Sequence, residues 1–224
     1  VDSDSSEEGI YNTIQAAIDY IVAEQAKEGY DDSTEWVVEV AAGEYNRFLV
    51  PHGVSNITIQ GQGDATVITT LNDSELDVKE SEKHNSDGQG IIVWGADITL
   101  KNLKIVSGED TAGVWYASAV GTQDGMWGSS DEAYTSLNLV DCTFEGSGSG
   151  YAIMPQRGAF RVEGCDISNY EQAIYFACDN YYTAECQIIN NTISDCIYAI
   201  HGYYGTGSDE TQPMVIRDNV ISGK

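Results

Sequence analysis

Arginines and aspartates are the residues with which this chain could handle a charged substrate. Arg157, Arg161 and Arg217 are the candidate bases, with Lys101 and Lys104 behind them, and Asp124, Asp141, Asp166 and Asp218 are candidate acidic partners. A cationic base beside a calcium ion held by carboxylates is the arrangement that would remove a proton from a uronate. Asp110, Asp124 and Asp131 are the candidate calcium ligands. No spacing brings these residues to one place, and arginine among abundant carboxylates ordinarily forms surface pairs of little energetic weight.

Aromatic residues offer a different chemistry. Trp115, Tyr116, Trp127, Tyr181, Tyr182, Tyr203 and Tyr204 stand among Gly, Asp, Asn and Ser. A ring that presents a flat apolar face beside hydrogen-bonding groups suits a sugar or a protein partner, and equally suits packing over a wall of strands. His201 follows Ala199-Ile200 as Met154 follows Ala152-Ile153 and Tyr175 follows Ala173-Ile174. Those three positions therefore form one row that could face a ligand. His52 and His84 have no serine or cysteine arranged for a nucleophile and base. Cys142, Cys165, Cys178, Cys186 and Cys196 form no CxxC pair and have no histidine at zinc-ligand spacing, and an odd number leaves at least one free thiol. A buried free cysteine behaves as a small hydrophobe, which suits a stacked interior position.

The elements that must position these residues are short and repeated. The segments ITLKNLKIVSG, LNLVDCTFEGS, FRVEGCDISNY, QIINNTISDC and MVIRDNVISGK superpose without gaps. Leu100, Leu139, Val162, Ile188 and Ile216 then share one apolar column, and Ile105, Phe144, Ile167, Ile193 and Ile221 share a second. Two residues before the second column lie Leu103, Cys142, Cys165, Asn191 and Asn219, where stacked asparagines would form a hydrogen-bonded ladder at a bend. Ala119-Val120, Ala152-Ile153, Ala173-Ile174 and Ala199-Ile200 form another ladder, so each repeat has at least two stacked strands. A unit of roughly 20 to 30 residues built from short strands cannot bury its own apolar face and must stack on its neighbours. Like-on-like stacking of this kind is not the signature of an antiparallel sandwich joined by Asn-Gly or Asp-Gly turns.

Ahead of the repeats, Ile10, Ile14, Ala17, Ile18, Ile21 and Val22 lie at helical spacing, with Asn12 or Thr13 placed to cap the first turn. Asn72 to Gly90 and Ser107 to Thr135 read as polar excursions outside the solenoid. The expectation is one all-β domain over residues 1–224, a right-handed single-stranded parallel β-helix with an N-terminal capping helix. The last repeat has no shielding segment after it, which suggests that the chain continues into further domains.

The excess of 36 acidic over 10 basic residues gives a formal charge of -26, which repels polyanions and makes nucleic acid and anionic membrane poor partners. No apolar run long enough for a membrane span exists, so direct insertion is not expected.

YNTIQAAIDYI, VVEVAAGEYNRFLVP and NITIQGQGDATVI, followed by GQGIIVWGADITLKNLKI and GYAIMPQRGAFRVEGCDISNYEQAIYF, resemble the pectinesterases and the wider pectin-lyase-like β-helix superfamily over most of the chain. That resemblance implies a helix capping the first coil. It also implies two catalytic aspartates, in QDT and DFIFG segments, but this chain has Tyr151 and Gln172 at those columns. Without paired carboxylates that chemistry is not expected. The function expected is a non-catalytic, extracellular, adhesin-like module of a microbial surface protein that binds a glycan or cell-surface ligand and requires no cofactor, with calcium as the one candidate ion. The alternative is a carbohydrate-active enzyme, a polysaccharide lyase or pectinesterase-like hydrolase acting on a polyuronide.

Overall fold

The structure is a computed structural model that describes residues 1–3, 10–70, 89–107, 118–122, 135–155, 158–178, 186–204 and 214–223. Every strand pairing in it is parallel and joins a strand to its counterpart one coil away. The chain is thus a parallel β-helix whose coils have three walls.

The first wall runs through Trp36–Glu39, the start of Ser55–Thr69, the start of Ala96–Val106, Thr135–Val140, Gly158–Glu163, Cys186–Ile189 and Met214–Arg217. The second runs through Gly43–Asn46, the ends of the same two long strands, Thr143–Glu145, Asp166–Ser168, Thr192–Cys196 and Val220–Gly223. Because those long strands pass through the bend, the first two walls are one 12-stranded sheet. The third wall is a separate 6-stranded sheet of Leu49–Val50, Gln89–Val93, Ser118–Gly121, Tyr151–Met154, Gln172–Cys178 and Tyr198–Tyr204.

The apolar columns of the repeats are the inside of this coil. Leu100 pairs with Leu139, Leu139 with Val162, Val162 with Ile188 and Ile188 with Ile216. The second column pairs Ile105 with Phe144, then Ile167, Ile193 and Ile221. On the third wall Val120, Ile153, Ile174 and Ile200 are in register. Each coil therefore buries apolar side chains from three directions, and each side chain is covered by the coils above and below it. The segment Ser107 to Thr135 is not one excursion, since Ser118–Gly121 inside it supplies a third-wall strand.

The bend between the first two walls carries the ladder that the sequence predicts. Asn191 is buried, and its Nδ2 donates to Val162 O at 3.0 Å and to Asn219 Oδ1 at 2.9 Å, while its Oδ1 accepts from Cys165 N at 2.9 Å. Asn219 Nδ2 donates to Ile188 O at 2.8 Å, one coil further on. At the same place in the preceding coils, Cys165 Sγ contacts Leu139 O at 3.6 Å and Cys142 Sγ contacts Leu100 O at 3.4 Å. Thiols thus continue, more weakly, the hydrogen bonds that amides make. Cys142, Cys165, Cys186 and Cys196 are all buried thiols, as expected for stacked interior positions.

Ile14–Gln25 forms the helix, and Thr13 is its cap, accepting from Ala16 N. Ile14, Ala17, Ile18 and Ile21 are buried against the core. Two glutamines then do what a neighbouring strand would do for the first coils. Gln15 accepts from Leu49 N at 2.8 Å and donates to Leu49 O at 3.1 Å. Gln25 accepts from Ser55 N at 3.0 Å and donates to Ser55 O at 2.7 Å. Side-chain amides so placed satisfy edge backbone groups that would otherwise be open to another strand.

Candidate functional site

The third wall brings together the described residues with the most potential to hold a ligand. Tyr151, Gln172 and Tyr198 are in register on successive coils, and Tyr175 is in register with His201. The rings of Tyr151 and Tyr175 are 5.3 Å apart and tilted. Those of Tyr175 and His201 meet edge to face at 5.2 Å, and Tyr198 lies 5.7 Å from His201. Gln172 Oε1 and His201 Nδ1 are 2.8 Å apart. With the amide oxygen accepting, Nδ1 is the donor of this bond. His201 and Tyr198 are exposed, whereas Gln172 is buried beneath them.

Register and packing both hold this cluster in place. Ala173 and Ile174 are buried between Gln172 and Tyr175, so the strand is pinned to the core. Gly202 is in register with Phe176, and a Cβ there would lie 2.0 Å from the Phe176 ring, so glycine is the residue that lets this strand lie close beside its neighbour.

The cluster has aromatic faces, neutral donors and acceptors, and one imidazole. It lacks the paired carboxylates of acid/base or nucleophilic ester chemistry. The two columns at which the resemblance implies aspartates are in register on adjacent coils, and they hold Tyr151 and Gln172.

Ser118 stands in the same column, in register with Tyr151. Its hydroxyl is buried, with no hydrogen-bond partner among the described residues. An orphaned hydroxyl costs stability, so Ser118→Ala should leave stability unchanged or raise it by roughly 1 kcal/mol. Urea denaturation measures this, and a clear loss would mean that the hydroxyl has a partner in solution.

The other sequence candidates divide by location. Arg161 and Arg217 lie on the first wall, away from the third-wall cluster. Arg161 is paired with Glu163, and Arg217 with Asp218 at 2.5 Å. Lys104, likewise, is 2.7 Å from Glu145. Met154 is fully buried and in register with Gly121, so it contributes packing to the row and presents no surface. The His52 ring stacks on Trp94 at 5.1 Å. Cys165 is held protonated by its hydrogen bond to the Cys142 sulfur and then by burial, which makes it a poor nucleophile. Among the described residues no three His, Cys, Asp or Glu side chains are grouped to hold a metal ion, and no helix is long and apolar enough to cross a membrane.

Arg157, Trp115, Tyr116, Trp127, Tyr181, Tyr182, Asp110, Asp124, Asp131 and His84 lie outside the described residues. For Tyr203 and Tyr204 only the backbone is described, at the end of the strand that carries His201. Sequence reasoning placed Tyr175 and His201 in one row but missed Tyr198, whose only signal is its position one residue before the Ala199-Ile200 pair.

A family model described as the right handed beta helix region matches residues 52–224. No curated protein matches the chain. Among solved structures, the deglycosylated pectin methylesterase of Aspergillus niger aligns at 15% identity over 97% of this chain and 84% of its own, with a TM-score of 0.49. Pectin methylesterase from Yersinia enterocolitica aligns at 18% identity over 86% of this chain and 81% of its own, with a TM-score of 0.43.

Proposed function

The chain belongs to the right-handed β-helix family, and we propose that it is a non-catalytic module that binds carbohydrate on the outside of its third wall. The observation that carries this reading is the convergence of Tyr151, Tyr175, Tyr198 and His201 on neighbouring coils around Gln172. Sugar rings have apolar C–H faces and hydroxyl edges, and an aromatic surface edged by phenol hydroxyls and an imidazole meets both. Fold alone would not supply the assignment, because function resides in the site that a fold carries.

Turnover is disfavoured in this reading on two grounds. The in-register pair Tyr151 and Gln172 provides no carboxylate, and the described arginines Arg161 and Arg217 are engaged by acids on another wall. The setting we propose is extracellular, on or released from a microbial surface, where a stiff solenoid can present the wall to a glycan in the manner of an adhesin.

The test is a glycan array of the purified chain, with and without calcium, run beside an ultraviolet assay for unsaturated uronides. Binding should be selective and should fall by about tenfold or more in His201→Ala and Tyr175→Ala, the equivalent of about 1.4 kcal/mol. Accumulation of unsaturated product would overturn the non-catalytic reading, and binding unchanged in both variants would move the site elsewhere.

A further inference from the structure

We propose that Cys142 and Cys165 are a disulfide-forming pair, closed by exchange with a small-molecule disulfide, that staples two successive coils at the bend between the first and second walls. The pair lies apart from the third-wall cluster, and nothing in this inference depends on the carbohydrate reading.

Register places the two residues one above the other. Thr143 and Asp166, which follow them, are in register on the second wall, and Val140 and Glu163, two residues before them, are in register on the first. Backbone bonds hold the step on both sides, since Asp141 N donates to Glu163 O at 3.0 Å and Asp166 N donates to Cys142 O at 3.0 Å. A strand spacing of about 4.8 Å falls inside the Cα separation of about 4.4 to 6.8 Å that a disulfide spans.

The two side chains leave the backbone in the same direction. Cys142 Sγ is 3.4 Å from Leu100 O and Cys165 Sγ is 3.6 Å from Leu139 O, and Leu100 and Leu139 are themselves in register. Both thiols are buried. In the column of repeats Leu103 precedes Cys142 and Asn191 follows Cys165, so each cysteine has the other as its one thiol neighbour along the axis.

The Cys165 thiol donates to the Cys142 sulfur, which lowers the Cys142 thiol below its ordinary range and makes it the first to attack. As the thiolate, Cys142 attacks one sulfur of the small disulfide RSSR. A bond forms between Cys142 Sγ and that sulfur, the S–S bond of RSSR breaks, and the first RS⁻ leaves. Cys165 Sγ then attacks Cys142 Sγ and releases the second RS⁻. The two protons given up by the cysteines end on two molecules of RSH, and the two electrons lost by the protein reduce the small disulfide. Because the pair is buried, exchange proceeds as the chain folds, before neighbouring coils close over it. The bond closes a loop of 23 residues (165 minus 142), which restricts the unfolded chain more than the folded one.

Refolding from urea in a mixture of reduced and oxidised glutathione, followed by alkylation and cleavage after glutamate, tests this. Cleavage leaves Cys142 in the peptide that ends at Glu145 and Cys165 in the peptide that ends at Glu171, each as the one cysteine of its peptide. The expected result is a covalent link between those two peptides and a urea midpoint about 1 M above that of the chain refolded with dithiothreitol. Cys142→Ser, whose hydroxyl can still reach Leu100 O, should fold and lose that shift. Alkylation of both cysteines after refolding in the oxidising mixture, or linkage of either to a different cysteine, overturns the inference. A linked pair with no gain in midpoint, or a gain that persists in Cys142→Ser, would overturn the stapling role.

Discussion

Replacing Asn191 with alanine should destabilise the chain by about 3 to 5 kcal/mol, one of the largest losses available from a single polar residue. The side chain is buried at the bend and is shared by three coils. Its removal leaves Val162 O without the Asn191 donor, Cys165 N without its acceptor and Asn219 Oδ1 without one of its two donors. Each buried group so orphaned costs about 1 to 3 kcal/mol, because water cannot enter to replace the lost bond. Asn191→Cys is the informative companion. Cys142 and Cys165 occupy the same column and reach the same carbonyl in the preceding coil. A thiol at 191 should therefore recover part of the loss, leaving a cost of roughly half that of alanine, since sulfur donates and accepts weakly. Urea midpoints for the three proteins measure the order. A cysteine variant no better than alanine would mean that the thiols merely fill space in this ladder.

The ladder was legible because asparagine and cysteine line up in the same alignment that exposes the apolar columns. Its neighbour was just as visible and carries a different signal. Immediately before the ladder stand Asn102, Asp141, Gly164, Asn190 and Asp218, each with a positive φ between 51° and 65°. These are the residue types that tolerate the left-handed conformation, by lacking a Cβ or by bonding locally to the backbone. One such residue per coil turns the chain from the first wall to the second. A reading by hydropathy passes over this column because its members are exposed or half-buried and polar. The expectation of at least two strands per coil holds, and the structure gives three.

Less of the candidate site could be read from the chain. Tyr175 and His201 follow the same Ala-Ile pair, so their stacking is a matter of counting residues. The approach of Gln172 to His201 is different, because it joins a residue before one Ala-Ile pair to a residue after the next. No sequence spacing encodes that contact, which depends on how the third-wall strands leave the bend. Likewise, the lyase candidates Arg161 and Arg217 were set apart by the coil itself. Their first-wall strands carry them away from the aromatic cluster and beside Glu163 and Asp218.

Position along the solenoid should decide what a residue in a single column contributes. Phe144 and Ile221 belong to the same interior column, yet Phe144 is fully buried between Ile105 and Ile167 while Ile221 is 54% exposed and stacks on Ile193. Phe144→Ala removes a ring from a packed interior and leaves a cavity that the coils on both sides hold open, so a loss of about 3 to 5 kcal/mol is expected. Ile221→Ala removes a side chain that already meets water over half its surface, and should cost under about 1 kcal/mol. The contrast follows from the one-dimensional character of stacked coils, in which each coil is covered only by the coils on either side of it. Denaturant titrations of both variants test it directly. A loss for Ile221→Ala that matches Phe144→Ala would mean that this end of the stack is covered in solution, and that the columns bury their side chains equally along their whole length.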